Sequence, residues 1–189
     1  MEGRLLIRDC AVWQAGGAVD DRSVLIEGET IAAVDAASKL PARPGDWVAD
    51  ARGRLVTPGL FGDGEAEATG VAQHQLRVAN ALRHGITGVV SGGGPALGAR
   101  VIAPSVASGA DGAALQQASF GVPFGKVEPG YAADLVLWDA VPGAGFTLTL
   151  GKPVGALVAW VIVAGRVVVR EGQLVGADYL ALATAARAR

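Results

Sequence analysis

Strand-like runs occupy both ends of this 189-residue chain, and a short helix-bearing stretch separates them. That order constrains the fold more than any other feature. An edge strand needs a partner for its open N–H and C=O groups, so both ends are expected to feed one sheet system, with the middle as an insertion. Residues 4–9, 23–27, 30–34, 47–51 and 54–57 read as strands at the N-terminal end. Gly28 and Glu29 form a short polar link between β-branched runs, which is a hairpin signal. Pro41, Pro44 and Gly45 mark a loop. At the other end, 134–138 is apolar throughout, 157–164 and 166–170 flank Gly165 as a second hairpin, and Glu171-Gly172 turns the chain into 173–175. Residues 178–188 are rich in Ala and Leu, with Arg187 in the last turn, as in a terminal helix.

The middle has a different period. Over 71–84, Val71, Leu76, Val78, Ala79 and Leu82 form an apolar stripe at helical spacing. Gly85 is placed to end that helix. Residues 86–90 then read as a buried strand, and 91–95 (SGGGP) as a loop. Asp111 is suited to cap a short helix over 112–120.

Composition narrows the function. A formal net charge of -2 gives no basic field, so nucleic acid is not an expected partner. The longest apolar run, 154–165, falls short of the ~20 residues of a spanning helix, so no membrane association is expected. The first residues lack the charged start and apolar stretch of a signal peptide, and the expected location is cytoplasmic. One cysteine excludes an intrachain disulfide framework and a Cys-only zinc site. Cys10 reads as a small buried residue. Trp13, Trp47, Trp138 and Trp160 sit in strand-like sequence and are expected in the core.

Four blocks resemble the amidohydrolase superfamily. Residues 24–34 (VLIEGETIAAV) are similar to its N-terminal hairpin, and 50–60 (DARGRLVTPGL) to its entry into the catalytic barrel. Residues 125–139 (GKVEPGYAADLVLWD) resemble its return into the small β-domain, and 161–168 (VIVAGRVV) the hairpin that follows. The resemblance implies a mainly β fold with some α: a composite β-sandwich or β-roll from 1–58 and 125–175, with a C-terminal helix in 176–189. It makes 59–124 a short α/β remnant of a (β/α)8 barrel, since a full barrel needs about 200 residues or more.

Members of that family are metal-dependent hydrolases and deaminases. Their Pro-Gly-Leu turn leads into a strand bearing a His-x-His pair, which puts two imidazoles on one face. The matching positions here are Gly64 and Ala66, neither of which can bind a metal. The resemblance thus leads to an amidohydrolase-like protein without the family's hydrolysis, acting as a binding or structural module with no cofactor and an unknown small-molecule ligand. The alternative is a residual hydrolase acting on carbon–nitrogen bonds, with zinc or another divalent metal in a rebuilt or intersubunit site. Its candidates are Asp63, Glu65 and Glu67, which alternate and would share a strand face, and Asp111; Glu65 and Asp111 are the catalytic candidates. The plainer reading is a solvated acidic loop and a helix cap. His74 and His84 are ten residues apart, about 15 Å along one helix, and cannot chelate one ion together. His84 fits a helix C-terminus. Strands of a barrel remnant would lack neighbours, so a homodimer or larger oligomer is expected.

Overall fold

The computed structural model describes residues 3–15, 17–62, 71–90, 97, 99–102, 121–139, 148–149 and 152–187. The N-terminal part gives β1 (Arg4–Gln14), β2 (Gly17–Glu27), β3 (Thr30–Ala36), β4 (Trp47–Asp50) and β5 (Arg54–Pro58). Next come β6 (Leu60–Gly62), α1 (Val71–Arg83), β7 (Ile86–Val90) and β8 (Arg100–Ile102). The C-terminal part gives β9 (Leu135–Asp139), β10 (Leu148–Thr149), β11 (Lys152–Pro153), β12 (Leu157–Val163), β13 (Arg166–Arg170), β14 (Gln173–Leu174) and α2 (Tyr179–Arg187). The protein is mainly β, with a mixed sheet and, among the described residues, two α-helices.

Both chain ends enter one nine-stranded sheet, ordered β14-β13-β12-β9-β5-β1-β2-β3, with β4 beside β1. The seam between the ends is the antiparallel β5–β9 pair, in register from Arg54↔Asp139 to Pro58↔Leu135. β1 changes partner along its length. Leu5–Arg8 run parallel to β4, whereas Ala11 and Val12 run parallel to β5. Between these halves Asp9 adopts φ 57°, and the register with β2 shifts there. Such bulges bend a strand. The sheet thereby folds over, and one core holds Leu5, Ile7 and Ala49 from the first half together with Leu135, Leu137, Trp160 and Ile162 from the second.

β9 explains why 134–138 is apolar throughout. Leu135 and Leu137 enter the core between the layers, while Val136 and Trp138 face the other way and pack with Val78 and Leu82 of α1. A strand buried on both faces has no polar alternation. Each fully buried Leu or Val stabilises the fold by roughly 1.5–3 kcal/mol relative to exposure. Trp138 donates from Nε1 to Thr57 Oγ1 at 2.8 Å, which satisfies its buried indole N–H.

Both expected hairpins form. Gly28-Glu29 links β2 to β3, and Ala164-Gly165 links β12 to β13. The two tips meet, because a Cβ on Gly165 would lie 1.9 Å from the Gly28 carbonyl oxygen. Gly165 also has φ 71°, so glycine is required there twice over. β1 and β2 run further than the sequence suggests. Asp9 and Asp21, at φ 57° and 55°, interrupt the alternation that marks a strand.

β6, β7 and β8 form a separate three-stranded parallel sheet among the described residues, with α1 joining β6 to β7. Gly85 follows α1 at φ 81° and ends it. α2 is capped by Asp178, whose Oδ1 accepts from the Leu180 N–H at 2.8 Å and the Ala181 N–H at 3.3 Å. Tyr179 fastens α2 to α1, donating to Asn80 Oδ1 at 2.8 Å beneath the Arg83 guanidinium. No helix is long and apolar enough to cross a membrane among the described residues.

Candidate functional site

Parallel strands direct ligands to their C-terminal ends. Here those ends follow Gly62 of β6, Val90 of β7 and Ile102 of β8. Asp63, Gly64, Glu65, Ala66 and Glu67 come next in sequence after β6, and they lie outside the described residues. So do Asp111, the loop expected at 91–95 and the helix expected over 112–120. The helix and strand expected at 71–84 and 86–90 correspond to α1 and β7.

Among the described residues no group of three His, Cys, Asp or Glu is placed to hold a metal ion. His74 is half-buried on α1, and its Nε2 has no hydrogen-bond partner among the described residues. His84 follows α1, exposed, and its Nδ1 donates to the Asn80 carbonyl at 2.7 Å, one of the last-turn carbonyls a helix leaves open. Cys10 is buried, and burial pushes its thiol up to about 12, so it is an inert thiol at neutral pH. Gly64 and Ala66 carry no side-chain ligand atom.

The described residues do build one polar recess of about 530 Å³, where the edge of β4 stands over β12 and β13. Arg54 is its floor. Its Nε donates to Asp139 Oδ1 at 2.8 Å, and its Nη2 reaches Glu171 Oε1 and Oε2 at 3.1 and 3.0 Å. Trp160 donates from Nε1 to Glu171 Oε1 at 2.7 Å. The Trp160 ring stacks on Trp47 at 6.0 Å between centroids and lies 5.2 Å from the Arg170 guanidinium. Asp50 and Arg52 pair at the rim through both carboxylate oxygens.

Local geometry explains this convergence. Ala159 is an extra residue in β12, since Val158 pairs with Trp138 and Trp160 with Leu137. The bulge puts Ala159 and Trp160 on the same core side. Glu171 holds φ 48° in the β13–β14 turn, a conformation costing a non-glycine residue roughly 1–2 kcal/mol. Its bonds to Trp160 and Arg54 offset that cost.

The charges are settled by these contacts. Burial opposes the Arg54 charge, but Asp139 and then Glu171 outweigh it and raise its pKa. The Trp160 indole N–H leads in lowering the Glu171 carboxyl; burial opposes it and Arg54 adds to it. The Arg52 side chain and backbone N–H bring Asp50 down to about 2. Asp50 and Glu171 are thus both held as carboxylates against arginine. Neither is poised as a general base near neutrality.

Sequence reasoning named Trp47 and Trp160 from this recess as core, and Glu171 only as part of a turn. Trp160 is buried, but Trp47 is 39% exposed, because β4 is an edge strand and its first residue overhangs the recess. The available signal was the charge alternation Asp50-x-Arg52-x-Arg54, with Arg170-Glu171 at a turn.

No protein-family model matches the chain, and no curated protein does. Solved structures do. A triazine hydrolase from Arthrobacter aurescens is 12% identical, with a TM-score of 0.67 and 99% of each chain covered. An adenosine deaminase from Xanthomonas campestris with bound zinc is 13% identical, with a TM-score of 0.69 and 97% of each chain covered. An amidohydrolase from an environmental sample of the Sargasso Sea is 14% identical, with a TM-score of 0.63 and 97% of each chain covered. The chain shares its fold with these proteins.

Proposed function

We propose that this chain is an amidohydrolase-like protein that keeps the family's composite β-domain and acts as a binding or structural module, without metal-dependent hydrolysis. The observation that carries the reading is the pair Gly64 and Ala66, two and four residues past the end of β6 at Gly62. A His-x-His pair would stand there in a catalytic relative. The short α/β unit β6-α1-β7-β8 is, on this reading, the remnant of a barrel, and a homodimer covers its outer strands. The four sequence blocks and the fold shared with hydrolases and a deaminase support the family reading. Metal content and turnover test it. Protein purified without chelators or a His-tag is expected to carry far less than one zinc per chain and to show no turnover on amide, cyclic amide or amidine substrates. One tightly bound zinc per chain with turnover would sink it.

The second reading is a hydrolase of carbon–nitrogen bonds with a rebuilt or intersubunit site. It is favoured by the fold likeness along nearly the whole chain to an adenosine deaminase with bound zinc. Asp63, Glu65, Glu67 and Asp111 would supply oxygen ligands, with Glu65 or Asp111 as the acid–base group. It requires that Glu65→Ala or Asp111→Ala abolish turnover, and unchanged turnover in both excludes it.

A further inference from the structure

We propose that the open edge of β4 is a strand-accepting site for an extended, acid-bearing peptide segment of a partner protein. The argument starts from hydrogen-bond direction. In a parallel pair, alternate residues send both N–H and C=O to the neighbouring strand. The Ala51 N–H donates to the Arg8 carbonyl at 2.9 Å, and Arg8 is in register with Asp50. Trp47 and Ala49 therefore face β1, whereas Val48 and Asp50 turn their backbone groups away from it. No described residue pairs with that outer side, since β4 has β1 as its one described neighbour.

The other outer edge of this layer is treated differently. Ile31 of β3 donates to the Tyr131 carbonyl at 2.8 Å and accepts from the Gly130 N–H at 2.8 Å. That loop covers the start of β3. β4 has no such cover among the described residues, and it presents Trp47 and Val48 at 39% and 41% exposure. Exposed apolar edge strands are templates for another chain.

The recess specifies the guest. A strand added to β4 would lie over the wall made by Trp160, Arg170 and Glu171. Its backbone would pair with Val48 and Asp50, its apolar side chains lying beside Val48 on one face and its acidic ones beside Trp47 on the recess face. Arg170 makes no ion pair within 4 Å among the described residues and acts on the neighbouring Glu171 only through its field, while Arg52 and Arg54 are each held by carboxylates. A guest carboxylate complements that remaining guanidinium. Main-chain bonds supply affinity and the alternate side chains supply selectivity, as in other strand additions.

The test uses the full chain and the probe peptide acetyl-Val-Glu-Val-Glu-Val-amide, titrated by calorimetry. Val48→Pro removes the outward N–H without touching the β1 ladder, which an edge strand tolerates. The expected result is saturable binding, weakened about tenfold or more by Val48→Pro and by Arg170→Gln. The peptide with Lys in place of Glu is expected to bind at least about tenfold more weakly. A peptide N-methylated at alternate amides gives the same reading on the unaltered protein, should Val48→Pro fail to fold. No binding, equal binding of the Glu and Lys peptides, or full binding of both N-methylated registers overturns the proposal. A dimer that Val48→Pro splits, seen by light scattering, would assign the edge to a second copy and overturn it as well.

Discussion

The composite sheet and the parallel unit β6-α1-β7-β8 solve the burial problem in opposite ways. The sheet supplies one core of its own, between its folded layers around Leu135 and Leu137, and lends its other face, Val136 and Trp138, to α1. The parallel unit borrows. α1 buries Val78, Ala79 and Leu82, and Val78 and Leu82 do so against Leu55, Val136, Trp138 and Val161 of the sheet. Its strands come together through missing side chains instead. A Cβ on Gly59 would fall 2.2 Å from Thr87, and one on Gly88 would fall 2.1 Å from Phe61. The lesson is a hierarchy: the sheet can lose the unit more easily than the unit can lose the sheet.

The largest test of this hierarchy is Leu137→Ala. Leu137 is fully buried at the seam between the chain ends, so its truncation is expected to destabilise by about 2–5 kcal/mol. Denaturant unfolding would show a lower midpoint, and hydrogen exchange should accelerate in the sheet and the parallel unit together. A seam mutant that loosened the parallel unit alone would break the comparison.

Gly88→Ala is the converse. Phe61 must move to admit the methyl group, a strain of about 1–3 kcal/mol. Exchange is expected to rise in β6, α1 and β7 while β9 and β12 stay protected. Equal loss of protection in both regions would show that they form one cooperative unit.

A smaller effect should follow Thr57→Val, which keeps the side-chain volume and removes the acceptor of the Trp138 Nε1–H bond. The expected cost is about 1 kcal/mol. It should be felt in both regions, because Trp138 also lies 3.1 Å from where a Cβ on Gly85 would sit, at the end of α1.

Smallest is a pH effect confined to the recess. Glu171 has a depressed pKa, so its contribution is present above the usual value of 4.5 and is lost as pH falls through the lower folded value. Arg54→Gln removes the ion pair and should flatten the melting temperature against pH below about 4.5. An unaltered acid limb would mean that the Arg54 ion pair contributes no pH-dependent stability.

The sheet was far more legible in the sequence than the recess. Hairpins at Gly28 and Gly165 announce themselves through local turn chemistry, and β9 through an unbroken apolar run. β1 and β2 were read short because Asp9 and Asp21, at positive φ, imitate a loop. The recess has no local signature. Arg54 meets Asp139 and Glu171 across 85 and 117 residues, by virtue of the β5–β9 seam and the Ala159 bulge. Trp47 was misassigned for a related reason, since its exposure depends on β4 being an edge, which is a property of topology. The acidic run Asp63, Glu65 and Glu67 and the lone Asp111 carry alternation and capping chemistry, but nothing in either pattern distinguishes a ligand from a solvated side chain.

The seam also has a consequence in time. β5 and β9 are hydrogen-bonded neighbours, yet Arg54 and Asp139 are separated by 85 residues. During synthesis at roughly 5–20 residues per second, β5 emerges several seconds before its partner exists. For that interval the nascent chain carries an unfinished, apolar strand border. Such long-range pairing is slow to form even once both strands are present. The molecule's birth is therefore its most aggregation-exposed moment, and a chaperone that shields Leu55 and Val56 until β9 arrives would act where the finished fold needs no help.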